Sequence, residues 1–251
     1  MRLPAFIVGG TPRAGTSWIY ELLDRHPGIT MAKPRRPEPK FFLIDAEYDR
    51  GISYYSERWF ADIPPDQVAG EKSTNYLESA VAAERIAKHL PDAKLIFVLR
   101  EPAARALSNH RWSTMNGLET EDFATALRVE DERNASYPED LRYARPYAYF
   151  ERGLYAQHLR AYVERLSREQ LLVLRFEHLV ADPRVQAARM HSFLGVSGRP
   201  HDADDLPPVN AATGEADADP EVVAALRARY RGPNAELAEL LGPDFQVWSE
   251  P

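Results

Sequence analysis

The sequence contains no cysteine among its 251 residues. A disulfide framework, a thiolate zinc site and a cysteine nucleophile are therefore excluded, and a reducing compartment is the simplest interpretation. The chain also lacks an apolar run approaching the roughly 18 to 20 residues of a membrane-spanning helix. Its first core-like segment, Pro4 to Val8, begins too close to Met1 for a secretory signal peptide. We therefore expect a cytoplasmic protein with no membrane partner.

An excess of positive charge is missing as well, since the formal net charge is −7. Such a molecule repels phosphate backbones as a whole, so we expect no nucleic-acid partner, and an anionic ligand must meet a local positive patch. The hydrophobic fraction of 44% suits one large domain. We predict a single domain over residues 1–251, with residues 201–220, rich in Asp, Ala and Pro, as an exposed loop. The oligomeric state is not indicated.

What the sequence does contain is an alternation of short apolar runs and helical patterns. The runs are continuous, as is typical of strands covered on both faces, and lie at residues 5–8, 68–69, 94–99 and 171–176. Apolar residues at helical spacing fall at residues 17–26, 79–90, 103–114, 154–166, 220–230 and 234–241. The pattern predicts an α/β fold, namely a single-domain, P-loop-like parallel sheet flanked by helices on both faces.

A glycine-rich turn joins the first strand to the first helix and reads Gly10-x4-Gly15-Thr16-Ser17. Backbone amides and the positive end of a helix can bind an anion at such a turn. In a nucleotide-triphosphate P-loop, however, the residue after the second glycine is a lysine that reaches the terminal phosphates. Here Thr16 takes that position, and the positive charge is supplied by Arg13. A triphosphate ligand is therefore disfavoured, although a P-loop phosphotransferase stays open as an alternative.

The segment TPRAGTSWIYELLDRHPGI at residues 11–29 resembles the 5′-phosphosulfate-binding segment of the sulfotransferase family. Members of this family use 3′-phosphoadenosine-5′-phosphosulfate (PAPS) as the sulfuryl donor and release adenosine 3′,5′-bisphosphate (PAP). The resemblance implies that the 5′-phosphosulfate is held by this turn and the start of its helix, at Arg13, Ala14, Gly15, Thr16, Ser17 and Trp18.

A second segment, LREPAARALS at residues 99–108, resembles the family's 3′-phosphate signature. It implies that Arg100 and Ser108 bind the 3′-phosphate of the donor. Arg100 ends a predicted strand, where ligands of doubly wound sheets gather, and a guanidinium there can bind phosphate in bidentate fashion. Arg105 is interpreted as a helix-surface charge. A Lys-Gly-Arg type loop that completes this pocket in many relatives has no clear equivalent near residues 210–214.

The resemblance extends to GEKSTNYL at residues 70–77 and to RGLYAQHL followed by LLVLRFEHLVADP, an order typical of bacterial members and of heparan sulfate sulfotransferase domains. It covers most of the chain up to about residue 183. The segment from Lys33 to Phe42 resembles the family's Lys-Glu-x-x-Phe-Phe motif, which implies that Glu38 is the general base. Cations close in sequence are expected to lower the pKa of Glu38, and burial is expected to raise it.

Two further residues are candidates for catalysis. The resemblance places a functional lysine at Lys72, although a structural, ion-paired lysine is an open alternative. His110 is a possible second base or acceptor contact, and a structural role is again an alternative.

The sequence as a whole predicts a PAPS-dependent O-sulfotransferase that needs no metal. The acceptor is a small-molecule alcohol or phenol, or a carbohydrate. The competing interpretations are a nucleotide-triphosphate-dependent phosphotransferase and a non-catalytic nucleotide-binding relative.

Overall fold

The computed structural model describes residues 1–207 and 218–248. Contacts between residues group them into two compact units, which are described separately. Unit 1 contains residues 1–99 and 161–207, and unit 2 contains residues 100–160 and 218–248. The single domain expected over residues 1–251 stays a prediction.

Unit 1 contains a sheet of five parallel strands in the order β2-β3-β1-β4-β5. The strands are β1 (Phe6–Gly10), β2 (Ile29–Met31), β3 (Val68–Lys72), β4 (Lys94–Leu99) and β5 (Leu171–Arg175). In the register, Val8 of β1 lies opposite Lys72 of β3 on one side and Ile96 of β4 on the other. Because β1 is central and parallel to its neighbours, the residues that follow β1 and β3 emerge at the same edge of the sheet.

Helices cover both faces of this sheet. On one face, Ile96 and Val98 pack in a buried cluster with Ile19, Leu22 and Met190 of the flanking helices. On the other face, the ring of Phe97 packs edge-on against Tyr162, with ring centroids 4.9 Å apart. The continuous apolar runs of the sequence follow from this double coverage. The predicted parallel α/β fold is therefore confirmed.

Several of the helices begin at capping residues that the sequence supplies. Asp182 accepts a hydrogen bond from Val185 N–H at the start of helix α10 (Pro183–Leu194), and Gly195 ends that helix with a positive φ of 76°. The α-helices of the described residues are α1 (Thr16–Asp24), α2 (Asp45–Tyr48), α3 (Gly51–Phe60), α4 (Ala80–His89), α5 (Pro102–Met115), α6 (Phe123–Arg128), α7 (Glu130–Ser136), α8 (Tyr155–Val163), α9 (Phe176–Ala181), α10 (Pro183–Leu194), α11 (Pro220–Arg229) and α12 (Arg231–Leu241). None of the described helices is long and apolar enough to cross a membrane.

The structure adds elements that were not predicted. The edge strand β2 has only three residues, too few for a recognisable period, and α3 was not distinguished from a loop. Within the predicted loop at residues 201–220, Ala203 and Leu206 are buried in the core of unit 1. Residues 208–217 of that loop lie outside the described residues.

Unit 2 is centred on α5, which carries a buried arginine. Arg105 is fully buried, and its guanidinium donates a hydrogen bond to the carbonyl of Tyr149. The prediction of a helix-surface charge at Arg105 is therefore wrong. Ala103 and Ala106 of α5 pack in one cluster with Leu226 of α11 and the adjoining Tyr230, so this face of α5 is covered by residues far away in the sequence.

Candidate functional site

The glycine-rich turn connects β1 to α1 at the edge of the sheet where the parallel strands end. Thr11 N–H donates to Val98 O of β4 at 2.9 Å, which keeps the turn close to the sheet. Gly15 takes a left-handed conformation with φ of 84° immediately before α1, a conformation that glycine adopts without steric cost. The chain therefore enters α1 with the first amides of the helix directed toward the turn, as an anion-binding turn requires.

A pocket opens at this turn, and most of the predicted 5′-phosphosulfate ligands line it. Its walls are formed by the turn and the start of α1, together with one residue from elsewhere: Arg13, Gly15, Thr16, Ser17, Trp18 and Arg36. Ala14, the remaining predicted residue, is fully buried in the core. The structure thus brings five of the six predicted positions to one concave surface.

Arg36 is the lining residue that was not predicted as a ligand. Its neighbours Lys33 and Arg35 form ion pairs with Asp24 and Glu21 of α1. In the described part of the chain no carboxylate pairs with Arg36. The basic segment was visible in the sequence, but only the positions of the α1 acids show which cation is left to face the pocket.

Glu38 and Lys72 lie together beside the same edge of the sheet. Lys72 is the last residue of β3, and its ammonium donates a hydrogen bond to Glu38 Oε1. Thr74 holds the second oxygen, because its backbone N–H and its hydroxyl each donate to Glu38 Oε2 at 3.0 Å. Both side chains are largely buried, with 2% of Lys72 and 11% of Glu38 exposed. Lys72 is therefore ion-paired, as its structural alternative requires, and its partner is the proposed base Glu38.

The charge state of Glu38 is decided by opposing effects. Burial raises the pKa of the carboxyl, but the Lys72 ammonium, the Thr74 amide and the more distant charge of Lys40 outweigh burial, so the pKa of Glu38 lies below its usual value. The sequence indicated opposing effects without deciding between them, and the main lowering effect comes from Lys72 rather than from the cations adjacent in sequence. Glu38 is consequently ionised at neutral pH and able to accept a proton.

The glycine-rich turn and the Glu38 cluster are packed against each other. A Cβ atom on Gly10, which ends β1, would lie 2.8 Å from the Cβ of Leu77 and 3.0 Å from the carbonyl oxygen of Thr74. Only glycine allows this approach. The residue that starts the turn is therefore in contact with the residue that holds the carboxylate of Glu38.

Arg100 and Ser108 belong to unit 2. Arg100 directly follows β4 in the chain, and its carbonyl accepts a hydrogen bond from the Tyr155 hydroxyl at 2.7 Å. Ser108 lies on α5 with 3% of its surface exposed. Glu101, between them, caps α5 by accepting hydrogen bonds from Ala103 N–H and Ala104 N–H. Binding of the 3′-phosphate by Arg100 and Ser108 stays a prediction. Residues 210–214, where the sequence shows no clear equivalent of the closing loop of many relatives, lie outside the described residues.

His110 has structural contacts in unit 2. Its ring packs against Phe123 and Tyr149 with centroids 5.3 Å and 5.6 Å apart, and its Nε2 lies 2.9 Å from the Glu121 carbonyl. These contacts are consistent with a structural role for His110, and a catalytic role stays a prediction. Within the two described ranges no three His, Asp or Glu side chains are grouped so as to hold a metal ion.

Comparison with known proteins assigns the family. The sulfotransferase domain family matches residues 3–206. Heparan sulfate glucosamine 3-O-sulfotransferase 3B1 of Homo sapiens is 27% identical over 269 aligned positions, which cover 97% of this chain. The chain spans 65% of that relative's length.

Solved structures agree with this result. A sulfotransferase from Alicyclobacillus acidocaldarius superimposes with a TM-score of 0.78 at 28% identity, and the match covers 96% of each chain. Mouse sulfotransferase SULT7A1, solved in complex with PAP, matches with a TM-score of 0.52 at 17% identity over 96% of this chain and 83% of its own, and so shares the fold. The chain therefore belongs to the PAPS-dependent sulfotransferase family.

Proposed function

We propose that this chain is an O-sulfotransferase that moves a sulfuryl group from PAPS to an acceptor hydroxyl, with Glu38 as the general base. The observation that carries the proposal is the carboxylate of Glu38, held ionised by Lys72 and Thr74 beside an anion-binding turn. The turn has Thr16 where a triphosphate-binding loop has lysine, which favours PAPS over a nucleoside triphosphate.

The residues of the pocket fit the phosphosulfate end of PAPS. Backbone amides at the start of α1 and the hydroxyls of Thr16 and Ser17 donate hydrogen bonds to tetrahedral anions, and the guanidinium groups of Arg13 and Arg36 supply positive charge. The molecule has a net charge of −7, so anionic PAPS needs a local group of positive charges and hydrogen-bond donors such as this one. Arg100 and Ser108 are the residues proposed to hold the 3′-phosphate.

In the reaction, the acceptor oxygen forms a bond to sulfur, the bond from sulfur to the bridging phosphate oxygen breaks, and PAP leaves. Glu38 accepts the proton of the acceptor hydroxyl as that oxygen attacks. Lys72 holds Glu38 ionised and oriented before the transfer. A general base of this kind contributes about a hundred- to ten-thousandfold in rate. Most of the remaining acceleration comes from orientation and from positive charge near the developing negative charge.

We propose a carbohydrate hydroxyl as the acceptor, since the curated relatives act on heparan sulfate glucosamine. A small-molecule alcohol or phenol is the alternative, and a transfer assay with a panel of both classes decides between them. Independence from metal and a cytoplasmic location stay predictions of the sequence.

The proposal is tested by calorimetry and by turnover. We expect PAP to bind without magnesium and more tightly than ATP with magnesium, whereas tight binding of ATP alone would contradict a PAPS donor and support the phosphotransferase. With labelled PAPS and a good acceptor, Glu38→Gln should lose about a hundredfold or more in kcat while PAP affinity stays within about threefold. A variant with full rate would show that Glu38 is not the base. Binding of PAP without turnover of any acceptor would support a non-catalytic relative.

A further inference from the structure

Glu71, the residue before Lys72 on β3, is a buried carboxyl to which the proposed reaction assigns no role. Successive side chains of a strand point to opposite faces, so Glu71 lies on the face of β3 opposite to Lys72. It is fully buried. The hydroxyls of Tyr55, Ser73 and Tyr76 surround it, and Tyr55 comes from α3.

Two of these hydroxyls hold the segment that carries Glu38. Ser73 Oγ accepts a hydrogen bond from Lys40 N–H at 2.9 Å, and the Tyr76 hydroxyl accepts one from Phe42 N–H at 3.2 Å. The ring of Phe41, between these two amides, stacks on Tyr55 with centroids 4.4 Å apart. The backbone two to four residues after Glu38 is therefore fastened to side chains that lie around Glu71.

The hydroxyls of Ser73 and Tyr76 can each donate a hydrogen bond to the Glu71 carboxyl. Each hydroxyl that accepts a backbone N–H still has its own proton to donate. Glu71 is the buried acceptor beside both, and among the described residues neither of its oxygens makes a hydrogen bond of ordinary geometry. Leaving a buried polar group unsatisfied costs about 1–3 kcal/mol, so hydrogen bonds from these two hydroxyl protons to the carboxyl are energetically favoured.

Burial favours the neutral, protonated form of the Glu71 carboxyl at pH 7. Burial raises the pKa of Glu71 to about 8, against the hydroxyls of Tyr76 and Tyr55, which lower it, and with a smaller raising effect from Glu38. A protonated carboxyl both donates and accepts hydrogen bonds and adds no second negative charge near Glu38. It can therefore order hydroxyl groups without weakening the contact between Lys72 and Glu38.

We propose that Glu71 is a positioning residue for sulfuryl transfer, whose carboxyl orients the hydroxyls of Ser73 and Tyr76 and through them the backbone that carries Glu38. The inference rests on the proposed function, because it takes Glu38 as the base. Glu71 is fully buried on the face of β3 opposite to Lys72, so its effect should fall on kcat rather than on donor binding.

Two variants of Glu71 separate positioning from packing. Glu71→Gln keeps the shape, one donor group and one acceptor of the protonated carboxyl, and its kcat should stay within about threefold of wild type. Glu71→Leu removes all hydrogen bonding at similar volume, and its kcat should fall about ten- to a hundredfold at an unchanged KM for PAPS. Rescue by glutamine is the readout that a merely structural residue would not give.

The two tyrosines supply a matched pair of controls. Tyr76→Phe removes the hydroxyl that holds Phe42 N–H, and we expect it to lower kcat. Tyr55→Phe removes a hydroxyl that faces Glu71 but holds no backbone amide in the described chain, and kcat should not change. Because Glu71 acts through Tyr76, the double variant Glu71→Leu/Tyr76→Phe should lose less than the product of the two single losses.

The outcomes are decisive in both directions. Wild-type kcat in Glu71→Leu, an equal loss in Glu71→Gln and Glu71→Leu, or fully multiplicative losses with Tyr76→Phe would each overturn the proposal. If Glu71→Leu does not fold, wild-type kcat in Tyr76→Phe still overturns it. Glu38→Gln is measured alongside. Full rate in Glu38→Gln contradicts the base itself, whereas loss there with full rate in Glu71→Leu contradicts only the role of Glu71.

Discussion

The buried ammonium of Lys72 donates a hydrogen bond to Glu38, across 34 residues of sequence. This contact ties the end of a central strand to a proline-rich segment that has no regular secondary structure around Glu38. It also sets the charge of the proposed base, because Lys72 is the largest of the effects that lower the pKa of Glu38. The following expectations concern this contact, the pocket beside it and the stability of the fold.

Replacing Lys72 should move the acid limb of the pH–rate profile. The rate falls when pH drops through the pKa of Glu38, because only the ionised carboxyl accepts a proton, and in wild type that pKa lies below its usual value. Lys72→Met removes the main lowering effect, so the acid limb of kcat/KM should shift to higher pH. Lys40→Met, which removes a smaller lowering effect, should shift it less. A limb at the same pH in Lys72→Met and wild type would contradict this assignment.

The same Lys72→Met variant should be less stable than wild type. Removing one partner of a buried ion pair leaves the other charge without compensation, which costs about 3–5 kcal/mol in buried pairs. The measurement is urea unfolding at neutral pH. The loss should shrink at a pH low enough to protonate Glu38.

Arg36→Ala and Arg35→Ala form a matched pair. Arg36 lines the pocket, whereas Arg35 is paired with Glu21 outside it. We expect Arg36→Ala to weaken PAPS binding about tenfold. The loss should be smaller than for a buried charge-assisted contact, because Arg36 is exposed to water. Arg35→Ala should change it less than about twofold. Equal effects in calorimetry would assign the loss to overall charge rather than to a contact.

Arg100→Ala tests the 3′-phosphate assignment through the choice of ligand. The variant should lose about 1.5–3 kcal/mol of binding free energy for PAP. Its affinity for adenosine 5′-monophosphate, which lacks the 3′-phosphate, should equal that of wild type. Arg111→Ala, on the helix α5 that begins two residues after Arg100, is the control for a change of charge. Parallel losses for both nucleotides would refute the assignment.

The paired imidazoles of unit 1 should make its stability depend on pH. The rings of His26 and His191 lie 4.8 Å apart, and burial, with the neighbouring His26, lowers the pKa of His191 below its usual value of 6.5. The unfolded chain therefore binds a proton at higher pH than the folded one, so stability should fall as pH drops below about 6.5. His191→Asn keeps an acceptor for Arg199 N–H and should show a shallower decline in urea unfolding. If the free energy of unfolding of the wild type increases as the pH is lowered below about 6.5, the assignment is contradicted.

The parts of the fold that depend on local pattern could be predicted from the sequence. Strand β4 has the predicted bounds, Lys94–Leu99, and the glycine-rich turn lies between β1 and α1 as expected. Both depend on short-range features, a continuous apolar run and two glycines with distinct backbone requirements. Glu38 and Lys72, indicated by separate motifs, are in contact in the structure, although their chemical roles stay predictions.

The parts that depend on distant partners could not be predicted. Arg36 faces the pocket because two acids of α1 pair with Lys33 and Arg35, and a sequence shows the five charges without their pairing. Arg105 is fully buried and donates a hydrogen bond to the carbonyl of Tyr149, 44 residues later in the chain, a contact that no local pattern shows. Glu71 was read as part of a motif, and only its surroundings distinguish it from the neighbouring Lys72.

The positive charge at the pocket also affects how fast the donor associates. A molecule with a net charge of −7 repels an anionic donor as a whole, whereas Arg13 and Arg36 place positive charge at the pocket. Field lines that converge on a concave surface raise the local concentration of an oppositely charged ligand and direct its diffusion. Association of PAPS should therefore slow as ionic strength rises, while its dissociation changes little. Because the acids of α1 pair with Lys33 and Arg35 and leave Arg36 at the pocket, they influence the association rate.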